Sequence, residues 1–196
     1  MPKLGYFTPS RFADAMTNGR GKDTFGKTAL TLVTEVAMER VGVSKEEITA
    51  PALSWGNDHE PLAIKRYMDE TFSEVEPVLQ PFVHPDFDYV AGTPDGLVSV
   101  DGLIEVKCPF NPVNHFLNVS TGEQIAQYNP QMQGYMWITQ AKWCDFVSFD
   151  PRYPEEFQIK IIRVERDQEY IDALAERISM LNDLANDLVK QFKGML

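Results

Sequence analysis

The sequence predicts an α/β fold, formed by a single domain over residues 1–196, in which a mixed central β-sheet is flanked by helices. Helical periodicity precedes and follows a central region, and that region holds two β-prone runs, 97–100 and 103–107, joined by Asp101-Gly102. An order of helices, hairpin, helix, strands and helix is typical of a sheet covered by helices. A chain of 196 residues is long enough to bury the core of one such domain.

Three helices and a proline-rich stretch are expected before the hairpin. Thr8 is the expected N-cap of the first helix, with Pro9 at its first position. Apolar residues recur at three- and four-residue steps from about 24 to 41, which predicts an amphipathic helix. A further helix is expected from about 57 to 72. Prolines at 77, 81 and 85 leave room only for short strands in the stretch that follows.

The hairpin is the clearest local signal. Because glycine readily takes the positive φ that a tight primed turn requires, Asp101-Gly102 is the predicted turn. The pattern beyond it predicts a helix up to about Thr139, strands near 146–149 and 158–164, and a closing helix. That last helix is expected to pack one apolar face on the core, made of Tyr170, Leu174, Ile178, Leu181, Leu184 and Leu188.

Composition excludes several classes of protein. Cys108 and Cys144 form no CxxC pair and are too few for an iron–sulfur cluster or a cysteine-based zinc site. The three histidines are scattered, without zinc-ligand spacing, and are interpreted as structural or surface residues: His59, His84 and His115. No apolar stretch approaches the roughly 20 residues that cross a bilayer, and the first residues lack the apolar core of a signal peptide. We therefore expect a cytoplasmic protein with no membrane partner.

The net charge of −11 argues at first sight against nucleic acid, but the charge is unevenly distributed. Residues 1–30 carry five lysines or arginines against two aspartates. A basic N-terminal segment on an acidic body could form a local DNA-binding surface beside metal-binding carboxylates. Chance clustering of charge is the alternative, and charge alone does not decide between them.

A constellation of charged residues surrounds the hairpin. Asp95 lies just before the first strand, while Glu105 and Lys107 are two apart on the second, so that their side chains emerge on one face. A pair of carboxylates suits a hard divalent cation such as Mg²⁺, which can activate water and offset charge on a phosphodiester. The alternative is a solvent-facing Glu–Lys pair beside a turn-forming aspartate, and the residues alone leave both readings open.

The segments 93–97 (TPDGL) and 104–110 (IEVKCPF) resemble the PD-(D/E)xK nuclease signature. More narrowly, they resemble the phage lambda exonuclease family, also called YqaJ-like viral recombinases. Four further segments are similar to motifs of that family and occur in the same order: 52–56 with Glu60, 128–139, 149–152 and 164–167.

The resemblance implies a restriction-endonuclease-like core and an enzyme that needs one or two Mg²⁺ ions per active site, with Mn²⁺ as a substitute. It implies that the enzyme digests one strand of linear double-stranded DNA 5′→3′ and leaves a 3′ overhang for phage-type recombination. It further implies a toroidal homotrimer and a single-strand DNA annealing protein as partner, in the cytoplasm of a bacterial host cell of a phage or prophage.

The resemblance also assigns roles to individual residues. Asp95, Glu105 and the backbone carbonyl of Val106 are identified as metal ligands, and Lys107 as the catalytic lysine. Glu60 is assigned to the same site, where it could serve a second metal; the alternative is a surface carboxylate favoured by the helix dipole.

Two further groups come from the same resemblance. Tyr128 and Gln131 are expected to line the active site from a helix that begins near Asn129, whereas helical spacing turns Gln133 away; one polar spot on a packed helix is the alternative. Ser10, near a predicted helix N-terminus, is assigned to the 5′ phosphate.

Two basic residues complete the expected 5′-phosphate site. Lys3 stands where the lambda enzyme has an arginine, so the charge is kept and the bidentate fork is lost. Arg11 is a substitute donor, and an exposed helix arginine is its alternative reading.

Other functions are also considered. One is a different PD-(D/E)xK enzyme, such as a restriction-type endonuclease. Another is a catalytically silent DNA-binding or structural module.

Overall fold

The computed structural model describes residues 5–21, 24–43, 51–122 and 125–195. Its α-helices are α1 (Phe12–Ala15), α2 (Lys27–Arg40), α3 (Pro51–Thr71), α4 (Pro112–Ser120), α5 (Ile125–Thr139) and α6 (Gln168–Lys193). Short 3-10 turns cover Pro9–Arg11 and Glu155–Phe157. None of the helices in these ranges has the length and apolar character needed to cross a membrane.

The strands form a mixed sheet, which confirms the predicted fold class. They are β1 (Val75–Glu76), β2 (Phe82–Val83), β3 (Ala91–Gly92), β4 (Gly96–Val98), β5 (Gly102–Lys107), β6 (Trp143–Phe149) and β7 (Ile159–Glu165). The main sheet has the order β1-β4-β5-β6-β7, in which only β5 and β6 run parallel. Strands β2 and β3 form a separate antiparallel pair. The parallel step requires a long crossover, which α4 and α5 supply.

Helices cover both faces of β5. Ile104 and Val106 pack in a cluster with Ala63 and Tyr67 of α3. Leu103, on the opposite face, packs in a cluster that includes several residues of α5. Glu105 and Lys107 lie on the same face of β5 as Leu103, so α5 covers them: Glu105 is buried, and Lys107 is partly exposed.

The turn of the β4–β5 hairpin differs from the sequence prediction. Val98 pairs with Gly102, so the loop consists of Ser99, Val100 and Asp101, and the positive φ of 56° falls on Ser99. Gly102 already belongs to β5. A Cβ atom there would overlap the ring of Trp143, its partner on β6, so the glycine is required by strand packing and not by the turn.

Several helix boundaries also differ from expectation. The helix expected from about 57 already includes Pro51 and continues through Pro61. The helix expected to begin near Asn129 includes Ile125 and encloses Pro130, because burial of its residues 132–138 against the sheet outweighs the one missing backbone hydrogen bond.

The first and last helices also depart from prediction. Thr8 has the extended backbone of an N-cap but makes no side-chain cap bond, and only a 3-10 turn and the four-residue α1 follow it. The core face of α6 is Ile171, Leu174, Ile178, Leu181, Asn182 and Ala185. Leu184 and Leu188 remain 36% and 39% exposed, since the 3.6-residue repeat carries the buried stripe past them to Ala185.

Replacing Gly102 with alanine should destabilise the fold because the new methyl group displaces the Trp143 ring. We expect the free energy of unfolding to fall by about 1–3 kcal/mol, measured by urea denaturation. Gly56→Ala is the matched control, since Gly56 lies in helix α3 with open space around it and should gain about 0.5–1 kcal/mol. Equal stability of Gly102→Ala and the unchanged protein would refute the packing explanation.

Candidate active site

The side chain of Asp95 accepts a backbone hydrogen bond from β5 just beyond the point where β4 stops pairing with it. Pairing between β4 and β5 stops at Gly96 and Ile104. Beyond Ile104, the next N–H of β5 on the side of β4 is that of Val106, and it donates to Asp95 Oδ2 at 2.7 Å. The carboxylate therefore satisfies a backbone donor that would otherwise be unpaired, and this bond fixes Asp95 beside Glu105 and Lys107.

Glu105 and Lys107 emerge on the same face of β5, as the strand alternation predicts. Lys107 Nζ lies 2.5 Å from Glu105 Oε1. The Glu105 side chain is 1% exposed, and that of Lys107 is 26% exposed. The other carboxylate oxygen, Glu105 Oε2, is buried without a hydrogen-bond partner in the part of the chain that the structure describes. This oxygen is an acceptor that the protein itself leaves unmatched.

Burial raises the pKa of all three carboxylates of the site, and the charge of Asp95 adds to the rise at Glu105 and Glu60. Burial, followed by the charge of Asp95, raises the pKa of Glu105 to about 8. Burial also raises the pKa of Asp95, against the lowering effect of the Val106 N–H and of Lys107. The pKa of Glu60 is raised by burial and then by the charge of Asp95, which places the middle of α3 within the same electrostatic field.

Lys107 remains a cation in this field. Burial acts to lower its pKa, but the charge and hydrogen bond of Glu105, with the charge of Asp95, raise it above the ordinary value. One ammonium thus faces three carboxylates, those of Glu60, Asp95 and Glu105.

Helix α5 places two of the expected residues over the ammonium group. Lys107 Nζ donates to Gln131 Oε1 at 3.4 Å and lies 5.0 Å from the centroid of the Tyr128 ring. The Tyr128 ring in turn stacks on Phe146, with centroids 5.3 Å apart. The structure therefore gathers Tyr128 and Gln131 with Glu105 and Lys107.

The donor set fits a hard divalent cation that keeps part of its water. Between residues 5 and 195, outside the gaps at 22–23, 44–50 and 123–124, no group of three His, Cys, Asp or Glu side chains could hold a metal ion by itself. Mg²⁺ does not need such a cage, because it is commonly bound by one or two carboxylates and several waters. The unpartnered oxygen of Glu105 and the excess of negative charge suit that mode of binding.

The residues expected to hold the 5′ phosphate do not form a complete site in the described part of the chain. Ser10 is exposed, with its Oγ 3.2 Å from Thr8 Oγ1. Arg11 is not a free surface arginine: its guanidinium is 2.6 Å from Asp14 and 2.8 Å from Glu35. Lys3 lies outside the described residues. The turn that carries Ser10 is part of a 3-10 segment rather than the start of a long helix.

Tyr135 is a residue that the sequence reasoning gave no role. Its hydroxyl accepts from Gln131 Nε2 at 3.5 Å, one step from the contact of Gln131 with Lys107. A Cβ atom at Gly92 would lie 2.8 Å from Pro9 Cδ and 2.9 Å from Tyr135 Cε1, so glycine lets the Ser10 turn pack beside Tyr135. The spacing of four residues from Gln131 on a helix was the signal available in the sequence.

Arg152 was also overlooked. Its guanidinium binds the buried carboxylate of Asp150 through two nitrogens, Nε at 2.8 Å and a terminal nitrogen at 2.6 Å. It also donates to the carbonyls of Pro109 and Phe110, at 3.1 and 3.2 Å. Arg152 thereby fixes the segment that leaves β5 directly after Lys107. The carbonyls that it binds are more than 40 residues away in sequence, so only the family-like motif at 149–152 could have drawn attention to it.

The remaining polar side chains have structural contacts. Gln133 accepts from the Asp167 N–H and donates to the Glu165 carbonyl, both at 2.9 Å, so it turns away from the site as expected. His115 contacts Ser148 Oγ at 2.9 Å inside the core.

The other two histidines also make contacts within the chain. Buried His84 accepts from the Asp86 N–H at 3.1 Å. His59 contacts the Trp55 carbonyl at 2.8 Å.

Comparison with known proteins relates the chain to viral recombinases and exonucleases. The family model of the YqaJ-like viral recombinase domain matches residues 3–142. An alkaline exonuclease from Laribacter hongkongensis is similar in structure, with a TM-score of 0.89 and 33% sequence identity over 98% of this chain and 94% of that one. The structure of that enzyme in complex with dAMP also has a TM-score of 0.89. The sequence identity is 34%, over 98% of this chain and 94% of that one. Curated protein sequences gave no match.

A phage related exonuclease from Haemophilus somnus 129PT shares the fold. The TM-score is 0.81 at 22% identity, over 95% of this chain and 96% of that one. The mixed sheet with its flanking helices is thus the fold of known exonuclease structures.

Proposed function

The chain belongs to the YqaJ-like viral recombinase family, and we propose that it is a metal-dependent exonuclease acting on linear double-stranded DNA. In this proposal it digests one strand 5′→3′ and leaves a 3′ overhang for recombination by strand annealing. The similarity to an alkaline exonuclease over nearly the whole chain supports a nuclease role.

The observation that carries the proposal is that one carboxylate oxygen of buried Glu105 lacks a hydrogen-bond partner among the described residues. Its side chain is buried, one oxygen contacts Lys107, and the other has no hydrogen-bond partner among the described residues. A buried, unpartnered carboxylate oxygen is costly unless a cation or donor meets it. Asp95 stands beside it: Oδ2 accepts from the Val106 N–H, and no described residue forms a hydrogen bond with its other oxygen.

We assign the metal to these groups. Asp95, Glu105 and the backbone carbonyl of Val106 would hold Mg²⁺, or Mn²⁺ in its place, and Glu60 would serve a second ion. When bound, the ion would lower the pKa of a water and offset negative charge on the phosphodiester.

Lys107 is assigned to the charge that builds up on the phosphate. It is protonated at neutral pH, because the surrounding carboxylates raise its pKa. Glu105 and Gln131 hold Nζ from two directions. A fixed ammonium donor beside the reacting phosphate stabilises charge without having to reorganise.

The product is proposed from a relative, and the direction of digestion from the sequence resemblance. The Laribacter hongkongensis enzyme binds dAMP, a mononucleotide. For this chain we propose release of mononucleotides from a 5′ end, with Ser10 and Lys3 around the terminal phosphate. Arg11 would have to leave Asp14 or Glu35 to join them. A single-strand DNA annealing protein would take up the remaining 3′ strand.

Three linear or closed duplexes distinguish the proposed reaction from its alternatives. With Mg²⁺, we expect one strand to be lost from duplexes with open ends, more readily from a 5′-phosphate than a 5′-hydroxyl, and no cleavage when both ends are covalently closed. Gel analysis with label on either strand end gives the direction. Cutting of the closed duplex would identify an endonuclease, and no cleavage with any divalent metal would favour a silent DNA-binding module.

Lys107→Ala should lower the rate of DNA cleavage by at least about 100- to 1000-fold, the cost of removing one charge-stabilising donor. Binding of the duplex, followed by fluorescence anisotropy, should be largely preserved. Lys142→Ala is the matched control, since this exposed lysine pairs with Asp101 at the opposite end of the sheet. Normal turnover by Lys107→Ala would contradict the mechanism.

Asp95→Asn should weaken Mg²⁺ binding while leaving an oxygen to accept from the Val106 N–H. We expect a loss of at least about 10- to 100-fold, which even the removal of a supporting group can cause, measured by titration calorimetry. Asp101→Asn, in the hairpin loop, is the control. An unchanged Mg²⁺ affinity in Asp95→Asn would mean that Asp95 is not a ligand.

The proposal includes a toroidal homotrimer that encloses duplex DNA. Light scattering of the purified protein should give the mass of three chains, about three times 22.3 kDa. A monomer mass at all concentrations would exclude the ring while leaving the cleavage chemistry open to the other tests.

A further inference from the structure

Three aromatic rings form a cluster beside the candidate site. Trp55 and His59 lie one turn apart on α3, and their rings stack with centroids 3.7 Å apart and an angle of 24° between planes. The Phe110 ring meets Trp55 edge-on, with centroids 6.3 Å apart. We call these three residues the aromatic edge. Phe110 is its outer member, 52% exposed to solvent.

The aromatic edge is attached directly to the residues of the candidate site. His59 is the immediate neighbour of Glu60, and Phe110 follows Lys107 by three residues. Three residues of chain span at most about 10 Å. The Cα atoms of Phe110 and Lys107, whose ammonium group is assigned to the phosphate, therefore lie within about 10 Å of each other.

Arg152 holds the aromatic edge in place. Its guanidinium lies 4.3 Å from the centroid of the Trp55 ring and donates to the carbonyls of Pro109 and Phe110. The guanidinium is itself anchored to Asp150, which is 0% exposed. The carbonyl of Phe110 is thus held by a guanidinium that a buried carboxylate anchors, although half of the Phe110 side chain faces solvent.

A fixed, exposed aromatic ring next to a phosphate site is suited to a nucleobase. Every base has a π-face, and stacking on aromatic side chains is a common mode of binding to single-stranded nucleic acid. Stacking also requires no positive charge, which matters for a chain with a net charge of −11. We propose that Phe110, supported by Trp55 and His59, is a stacking site for a base of the strand being cut. This proposal rests on the proposed nuclease function.

Cleavage of DNA containing one abasic nucleotide tests the contact. In the unchanged protein, an abasic nucleotide at one position near the 5′ end should lower kcat/KM by about 5- to 100-fold, the range for loss of one base–aromatic stack. Phe110→Ala should cause a similar loss on intact DNA. The two losses should not add, because both remove the same contact. Phe110→Tyr, which keeps the ring, should restore activity.

Phe72→Ala is the matched control, because Phe72 is 95% exposed just beyond the C-terminal end of α3 and should not affect cleavage. Additive losses at every abasic position, or normal kcat/KM in Phe110→Ala, would overturn the proposal. A change in the mass of Phe110→Ala by light scattering would also overturn it, since the ring would then be a contact between copies of the chain.

A binding measurement keeps this test separate from the nuclease test. In a Lys107→Ala background, duplexes with 2-aminopurine at successive positions from the 5′ end should show fluorescence quenching at one position, and Phe110→Ala should remove it. Quenching without cleavage by the otherwise unchanged protein would keep the stacking site and reject the nuclease. Cleavage without Phe110-dependent quenching would reject the stacking site and keep the nuclease.

Discussion

The candidate site depends on the hydrogen bond from the Val106 N–H to Asp95 Oδ2. Strand β4 is too short to pair with the whole of β5, so the backbone beyond Ile104 needs another acceptor. Asp95 supplies it, and the same bond brings its carboxylate next to Glu105 and Lys107. A backbone requirement of the hairpin is thereby met by a side chain that also carries charge into the site. A longer β4 would satisfy the Val106 N–H and displace the carboxylate.

This arrangement concentrates like charges in a buried place. Burial and the charge of Asp95 raise the pKa of Glu105 to about 8, so in the absence of a cation the fold disfavours ionisation of that group. Such a carboxylate destabilises the folded state increasingly as pH rises from its ordinary pKa towards 8, because the unfolded chain ionises more readily. Lys107 offsets part of this effect. A bound divalent cation would offset the remainder, which relates the electrostatic strain of the site to its proposed chemistry.

Local patterns were sufficient for some features and not for others. Alternation along β5 predicts that Glu105 and Lys107 share a face, and the 2.5 Å contact confirms it. The hairpin was predicted in the right place but with the wrong turn, because Gly102 is selected by Trp143 on a strand about 40 residues later. The contacts of Arg152 with the segment after Lys107 escaped the sequence analysis for the same reason. Contacts between distant segments depend on register and packing, which periodicity does not encode.

Many arginines of this acidic chain are engaged in contacts within the protein, which bears on how it would bind a polyanion. Several of them donate to groups of the chain itself: Arg11, Arg40, Arg66, Arg152, Arg163, Arg166 and Arg177. Less of the positive charge near the N-terminus is therefore free to bind DNA, because Arg11 is paired with Asp14 and Glu35. The proposed contact with DNA would then depend less on a broad positive field than on local groups. The cation that we propose at the carboxylates and the exposed ring of Phe110 would be two such groups, and the residues of both sites lie at the same end of β5.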